Sequence, residues 1–467
     1  MGRRILLLKP SRLRAYQSSL VPPMGLLSLA AVLRRSGHQV RILDLRLYQH
    51  PGPAIDSMLR EFRPEAIGIS LLTFELEAAR KKIQRIRSIA PGVPVVVGGP
   101  QATAMPRETL DRSGADAVVV GEGEDVVTPL MEALADRADP PDLPGVLVRG
   151  REDRDPGRAP MPDLATLPIP AWDLVDLEDY ARRKSMSIPS PWRYATILTT
   201  RGCPWRCSYC HEIHGKRLRR RPLESVQAEL EVIQHQLGEG VLEVLDDNFN
   251  VDQAWASQVL ETLLRMGGYL RPAFPNGVRS DRLGRDLIGL MARVRTAFMS
   301  FAIESGDPEM QRRIRKNLDL DAAREAIEEA VRRGIFSNGF FMMGFPGERL
   351  DQMWRTVDFA CRSPLHSALF FRVVAMPGTE LWEEVHGQRH IALEQVQEDY
   401  FLNPVNLSEV PDVVMKSLYR LAWIRFYGDV GRAAMLYKVF PSKLDLARRS
   451  RDLMMLLVGW APEAPQE

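Results

Sequence analysis

Short apolar runs alternate with amphipathic stretches over residues 1–150. Five of these runs are apolar on both faces, and they begin at Ile5, Val40, Ala66, Val93 and Ala117. Helical periodicity lies between most of them, as over residues 25–36 and 75–89. This alternation predicts a parallel sheet covered by helices on both sides. Right-handed crossovers would make it a doubly wound, flavodoxin- or Rossmann-like α/β domain.

A second alternating series occupies residues 193–380. It contains six strand patterns, from 196–199 to 368–374, with helical patterns between them. We expect a partial (β/α)6 barrel, whose sites form at the carboxyl ends of the strands. Residues 151–192 are charged and then rich in proline, which predicts a linker. Residues 381–467 predict a helical C-terminal extension.

Small and polar residues follow three strand patterns of the first domain, where ligands of such sheets bind. Tight turns alone also favour glycine, but three such turns in register favour a ligand site. The predicted contacts are Ser70, Thr73, Gly98, Gly99, Gly121, Glu122 and Gly123.

Three of the four cysteines have the spacing C-x3-C-x2-C, at Cys203, Cys207 and Cys210. Thiolates this close can converge on one cluster, and three of them leave one iron of a four-iron cluster open. A zinc site completed by His211 or His214 is the alternative, although neither has a typical zinc-finger spacing. Cys361 lies in a helical pattern, where a buried core thiol is expected over a radical or substrate-binding role.

Composition further limits the possible classes of protein. The chain has 467 residues, 45% hydrophobic and 26% charged, with a net charge of +2. This predicts two to three domains and no strong attraction to nucleic acid or membranes. No segment approaches the ~20 apolar residues of a spanning helix. Few cysteines outside the motif favour a reducing compartment, expected to be the cytoplasm. The basic run 216–221 is either a solvated turn or an anion site.

The cysteine motif, with Tyr209 before its last cysteine, resembles that of the radical S-adenosylmethionine (SAM) enzymes. The resemblance implies that the three cysteines hold a [4Fe–4S] cluster whose open iron binds SAM. One electron then cleaves SAM to methionine and a 5′-deoxyadenosyl radical. Asp246-Asp247-Asn248 takes the place of a glycine-rich motif that binds the SAM amino group, but lacks its glycines. The implied SAM contacts are Tyr209, Asp246, Asp247, Glu304, Ser305 and Gly344.

Three segments of the first domain resemble the cobalamin-binding domain that precedes one large group of radical SAM cores. They are Val21–Leu26, Val95–Pro100 and Val120–Glu124. The D-x-H-x-x-G signature of cobalt-ligating domains is absent, and His38 and His50 are expected at the surface. The resemblance therefore implies cobalamin without a strong lower ligand.

Together these resemblances imply a cobalamin-dependent radical SAM enzyme that methylates an unactivated carbon. Ring formation or oxidative rearrangement is the alternative reaction, and a non-enzymatic cobalamin or redox sensor is the alternative class. The expected partners are a small-molecule or natural-product substrate and a low-potential electron donor such as flavodoxin or ferredoxin. The sequence leaves the substrate open.

Overall fold

The computed structural model describes residues 2–10, 19–181, 183–187, 193–389 and 405–457. Parts of the predicted linker and C-terminal extension, residues 182, 188–192, 390–404 and 458–467, lie outside this set. The chain folds into two compact units that are not contiguous in sequence. The first comprises Met1–Arg183, His211–Gln236 and Met376–Asp399, and the second comprises Lys184–Cys210, Leu237–Ala375 and Tyr400–Glu467.

The first unit contains a six-stranded sheet in the order β2-β1-β3-β4-β5-β6. Its strands are β1 Arg4–Lys9, β2 Gln39–Asp44, β3 Ala66–Ser70, β4 Val95–Gly98, β5 Ala117–Val119 and β6 Val146–Val148. Strands β1 to β5 are parallel, as predicted, and their order is flavodoxin-like. The antiparallel edge strand β6 was not predicted, because three residues carry too little periodicity.

Helices cover both faces of this sheet, which confirms the doubly wound prediction. Leu6 and Leu8 pack into one buried core, and Ile5 and Leu7 pack into the other. The helices are α1 Met24–Arg35, α2 Pro51–Phe62, α3 Leu76–Ile89, α4 Pro100–Ala104, α5 Pro106–Ser113, α6 Val127–Ala135, α7 Leu177–Ala181 and, later in the chain, α8 Leu223–Leu237. Helix α2 was missed because its prolines suggest a loop, yet Pro51 occupies the first helical turn, where proline fits.

The second unit contains six parallel strands in the order β14-β13-β12-β11-β10-β7. They are β7 Tyr194–Ile197, β10 Gly240–Val244, β11 Leu270–Val278, β12 Phe298–Glu304, β13 Ser337–Met343 and β14 Ser367–Arg372. The two-residue strands β8 Thr200–Arg201 and β9 Arg219–Arg220 precede β10 in sequence. Each strand pairs with its successor in the series, which is the singly wound order predicted for a partial (β/α)6 barrel.

Helices connect these strands and follow the last one. They are α9 Gln253–Arg265, α10 Arg285–Arg293, α11 Pro308–Arg313, α12 Leu320–Arg332, α13 Leu350–Arg362, α14 Glu380–Arg389, α15 Asp412–Tyr427, α16 Val430–Val439 and α17 Lys443–Leu457. Among the described residues, no helix is long and apolar enough to span a membrane.

Buried Arg432 attaches helix α16 to the second unit. Its guanidinium donates hydrogen bonds to the carbonyl oxygens of Leu365, Cys361 and Ser363 and lies 3.7 Å from the centre of the Phe426 ring. One arginine therefore donates to three backbone carbonyl groups, which lie at the end of α13 and before β14.

Two expectations about single residues were wrong. His38 is buried, and its Nδ1 accepts a hydrogen bond from the Arg3 backbone N–H at 3.1 Å. Cys361 is only partly buried on α13.

Candidate active site

The three motif cysteines lie on the loop after β7. None forms a disulfide, and each is partly exposed. In the described part of the chain, no three His, Cys, Asp or Glu side chains are gathered as a metal-binding set. The loop therefore supplies three thiols on one short segment without holding them in a closed arrangement. Accessible thiols on one short loop suit the ligands of an iron–sulfur cluster.

Tyr209 and Glu304, both predicted SAM contacts, meet beside this loop. Lys316 Nζ lies 3.1 Å from Glu304 Oε1 and 3.4 Å from the Tyr209 hydroxyl. Burial raises the pKa of Tyr209 well above its usual value, and negative charge on Glu304 and Cys207 adds to the shift. Lys316 was missed in the sequence, because nothing local distinguishes it from the other basic residues after α11.

Glu304 ends β12 in a backbone conformation that side chains rarely adopt. Its φ is +66°, and such strain persists where the surrounding structure enforces it, often at functional sites. Ser305, the next predicted contact, faces elsewhere. Its hydroxyl lies 3.2 Å from that of Thr356 and accepts a hydrogen bond from the Asp307 N–H. The structure therefore does not bring Ser305 together with Lys316.

Asp246 and Asp247 follow β10 and bond to the start of the cysteine loop. Asp246 accepts hydrogen bonds from the Thr199 N–H and hydroxyl, both at 2.6 Å, and from the Thr200 hydroxyl at 2.8 Å. Burial raises the pKa of Asp246 to about 6, although these hydrogen bonds oppose the shift. Asp247 accepts from the Gly202 N–H at 2.9 Å. Both carboxylates are thus engaged by the protein.

Asn248 differs from its two acidic neighbours. Its Oδ1 is buried and has no hydrogen-bond partner among the described residues. A buried acceptor without a donor is costly, and it fits a ligand that brings its own N–H groups.

Gly344 begins the turn after β13. Its φ is +97°, and its N–H donates to Glu348 Oε2 at 2.7 Å, as the Phe345 N–H does at 3.1 Å. Burial raises the pKa of Glu348 to about 7, and Oε1 of the same carboxyl is a buried atom unpartnered by any described residue. The Phe345 ring packs 5.7 Å from that of Tyr209. This turn therefore lies beside the cysteine loop.

Trp205, between the first two cysteines, is covered by a cation. The Arg279 guanidinium lies 3.7 Å from the centre of its ring and is held by Asp281 at 2.9 Å. Arg279 follows β11, so the turns after β10, β11 and β13 all contact the loop.

The predicted cobalamin contacts follow β3, β4 and β5, which are adjacent strands. Gly99 has a φ of +98°, and a Cβ there would lie 2.8 Å from the Leu71 carbonyl oxygen. A Cβ at Gly98 would meet nothing closer than 3.8 Å, which is an ordinary van der Waals contact. Ser70 is partly exposed, whereas Thr73 is buried in the turn that follows. The strand ends thus form an edge with little side-chain bulk.

A buried ion pair and a buried hydrogen bond at this edge were missed in the sequence, because they join distant segments. Lys9, at the end of β1, lies 2.5 Å from Glu75, which also accepts from the Leu72 N–H at 2.7 Å. Tyr180 donates to Asp44 at 2.9 Å. These bonds hold the loop after β3 and attach the linker to the sheet.

Glu122, which lies between Gly121 and Gly123 in the chain, forms an ion pair within the first unit. It pairs with Arg219, and His214 Nδ1 lies 3.4 Å away. Arg221 of the same basic run pairs with buried Glu229. Two arginines of the run are therefore largely buried in ion pairs within the first unit, which matches neither a solvated turn nor an anion site. The Gly121 N–H donates to the Thr103 hydroxyl at 2.9 Å, and Gly123 O caps α6.

Gln101 indicates that this edge fits a large polar ligand. It follows Gly99 on α4 and is fully buried, and neither amide atom has a hydrogen-bond partner within the described residues. A ligand rich in amide groups, as cobalamin is, has the donors and acceptors that this side chain lacks.

The chain combines a flavodoxin-like unit that has a glycine-lined edge with a singly wound unit that carries three loop thiols. These two features define an enzyme with two cofactor sites. The model of the B12 binding domain matches residues 13–130, and that of the Radical SAM superfamily matches residues 197–360.

Several relatives match most of the chain. An uncharacterized methyltransferase of Pyrococcus horikoshii is 27% identical over 91% of this chain and 92% of its own. Cytidylyl-2-hydroxyethylphosphonate methyltransferase of Streptomyces wedmorensis is 27% identical over 84% and 83%. An anaerobic magnesium-protoporphyrin IX monomethyl ester cyclase of Rubrivivax gelatinosus is 23% identical over 78% and 66%. The radical SAM methyltransferase TsrM of Kitasatospora setae, solved with cobalamin and a [4Fe–4S] cluster, shares the fold: TM-score 0.69, 21% identity, 83% and 78% coverage.

The chain belongs to the cobalamin-dependent radical SAM enzymes. Its cofactors are a [4Fe–4S] cluster, SAM and cobalamin, which confirms the expectation from the cysteine motif and the glycine-rich turns. Methyl transfer is the activity that its relatives support best, although cyclases are among them.

Proposed function

We propose that the protein methylates an unactivated carbon of a small-molecule or natural-product substrate. The observation that carries this proposal is the meeting of Tyr209, Lys316 and Glu304 beside the cysteine loop. This group supplies one buried cation, one carboxylate and one aromatic ring next to three accessible thiols. When bound, the cluster, SAM and cobalamin supply radical and methyl-transfer chemistry. The chain's own contribution is to bind and orient these groups and to exclude water.

Each polar group of the proposed SAM site has a matching role. Cys203, Cys207 and Cys210 hold the cluster. Lys316 attracts the SAM carboxylate, because a buried ammonium makes a strong charge-assisted hydrogen bond. Glu304 accepts hydrogen bonds from the ribose hydroxyls, for which a carboxylate has enough lone pairs.

The proposal reassigns the predicted contact with the SAM amino group. Asp246 and Asp247 are engaged by the cysteine loop, so we assign this contact to the unpartnered Oδ1 of Asn248. Tyr209, Phe345 and the turn from Gly344 border the adenine. Ser305 supports the turn after β12 through Thr356.

The carboxyl edge of the first sheet would hold cobalamin in this proposal. The small residues Ser70, Gly98, Gly99, Gly121 and Gly123 let it approach the backbone, and Thr73 orders the turn beside it. Gln101 supplies a side-chain amide. Glu122 has a structural role here, because Arg219 neutralises it. We propose a flavodoxin- or ferredoxin-type electron donor and a cytoplasmic location, which the scarcity of cysteine supports.

The test is anaerobic incubation of the reconstituted enzyme with SAM, methylcobalamin, candidate substrates and a low-potential reductant. Methylation predicts 5′-deoxyadenosine, S-adenosylhomocysteine and methylated product, all three over many turnovers. Ring formation or rearrangement, which the cyclase relatives favour as the second candidate, predicts 5′-deoxyadenosine without sustained S-adenosylhomocysteine. Absence of 5′-deoxyadenosine with every substrate would refute a radical enzyme and favour a sensor.

A further inference from the structure

The start of the cysteine loop is fixed by side chains from the turn that follows the neighbouring strand β10. Asp246 is almost completely buried, and it receives three hydrogen bonds from Thr199 and Thr200, the residues that leave β7. Its immediate neighbour, Asp247, receives the Gly202 N–H at 2.9 Å. Four hydrogen bonds to two adjacent carboxylates therefore precede Cys203.

The far end of the loop is held by backbone groups. The Ser208 N–H donates to the Ile314 carbonyl oxygen at 3.0 Å, and the Cys210 N–H donates to the Cys207 carbonyl oxygen at 3.1 Å. A loop fixed at both ends has few conformations in which its thiols point apart. The side chains of Asp246 and Asp247 thus anchor Thr199, Thr200 and Gly202, the residues just before Cys203.

We propose that Asp246 and Asp247 are positioning residues, which lock the cysteine loop to the turn that carries Asn248. This inference rests on the proposed function, and it gives the cluster and SAM one shared support. Because Asn248 follows Asp247 directly, a shift of the loop moves the acceptor assigned to the SAM amino group. The two carboxylates act through the loop and the turn and contact neither cofactor.

The experiment compares Asp247→Ala, Asp247→Asn and Asp246→Ala with the wild-type full chain. Glu243→Gln is the matched control, because Glu243 lies on β10 just before the two acids, is fully buried and accepts from Ser187 instead. The readouts are iron and sulfide per chain after anaerobic reconstitution, and the EPR signal of the reduced cluster with and without SAM. Circular dichroism and cobalamin binding report whether each variant folds.

The alanine variants are expected to lose at least half of their iron, or to show an altered EPR signal with a diminished response to SAM. Asp247→Asn keeps an acceptor for the Gly202 N–H and should therefore retain most of the iron and most of the EPR response to SAM. Asp247 is half-buried and makes a single bond, so Asp247→Ala decides the matter if Asp246→Ala does not fold.

Wild-type iron content and SAM response in Asp247→Ala would overturn the proposal. An equal loss in Glu243→Gln would also overturn it, because the loss would then follow from changing any buried carboxylate in this part of the chain. A wild-type protein that assembles no cluster would instead refute the proposed function, so the two failures are distinguishable.

Discussion

Glu348 should make the stability of the protein fall as pH rises, and replacement by glutamine should remove that dependence. Its carboxyl group is fully buried after β13, and two backbone N–H groups donate to one of its oxygens. The other oxygen is unpartnered among the residues described here. Burial of this carboxylate outweighs its two hydrogen bonds, and therefore raises the pKa to about 7 from the ordinary 4.5.

The sign of the effect follows from proton binding. Between the unfolded pKa and the folded pKa, the folded protein keeps a proton that the unfolded chain has lost. The stabilisation from Glu348 is thus fully present below the unfolded pKa and is lost as pH rises through the folded pKa. Each pH step of one between these two pKa values is worth ~1.4 kcal/mol, so the free energy of unfolding should fall by about 2.5 kcal/mol between about pH 5 and about pH 8.

The assay is urea unfolding of the protein without cofactors at several pH values, for wild type and Glu348→Gln. Asp246, whose pKa burial raises to about 6, contributes with the same sign in both proteins and cancels in their difference. The free energy of unfolding of Glu348→Gln minus that of wild type should therefore rise by about 2.5 kcal/mol between about pH 5 and about pH 8.

Asp351→Asn is the control, because hydrogen bonding to Arg349 lowers the pKa of exposed Asp351. The contribution of Asp351 to stability therefore has the opposite dependence on pH to that of Glu348. Parallel pH profiles for wild type and Glu348→Gln would refute the reasoning.

Three further substitutions test other parts of the structure. Gly99→Ala forces a side chain into a φ of +98° and against the Leu71 carbonyl, so it should destabilise the protein by about 1–3 kcal/mol and weaken cobalamin binding. Gly98→Ala should cost less, and equal effects of the two substitutions in thermal unfolding would contradict this expectation. Lys316→Met should weaken SAM binding to the reconstituted protein at least about tenfold, since a charge-assisted hydrogen bond is worth about 1.5–3 kcal/mol; equilibrium dialysis that shows unchanged affinity would exclude Lys316 from the site. Arg432→Met removes the donor to three carbonyl groups and should destabilise the second unit by about 2–4 kcal/mol, measured by urea unfolding. Proteolysis of α16 is the second measurement, and an unchanged cleavage rate would count against this role of Arg432.

Local patterns predicted most of the fold, and they failed where a pattern was short or interrupted. Strands β1 to β5 and the six strands of the second unit were found because continuous apolar runs mark parallel strands. Strand β6 is too short to show a period, and the prolines of α2 concealed its buried Ile55, Leu59 and Phe62. The domain boundaries at residues 150, 193 and 380 stay predictions.

Residue type alone was an incomplete guide to the candidate site. The adjacent acids Asp246 and Asp247 suggested ligand contacts, but the folded chain turns both toward the cysteine loop. Glu122 likewise suggested a cofactor contact, and Arg219 occupies it. Lys316 gave no signal, because its significance depends on a distance to Glu304 that only folding creates.

The sequence by itself determined the three thiols, their spacing and the two parallel sheets, because these depend on local order and on apolar periodicity. Only the tertiary structure decided which polar groups remain without partners. Hydrogen bonds between distant segments engage Asp246, Asp247 and Glu122, and they leave Asn248 and Gln101 as buried groups with unmet hydrogen-bonding capacity in the described chain. A polar side chain becomes available for a ligand when folding buries it and gives it nothing to bond.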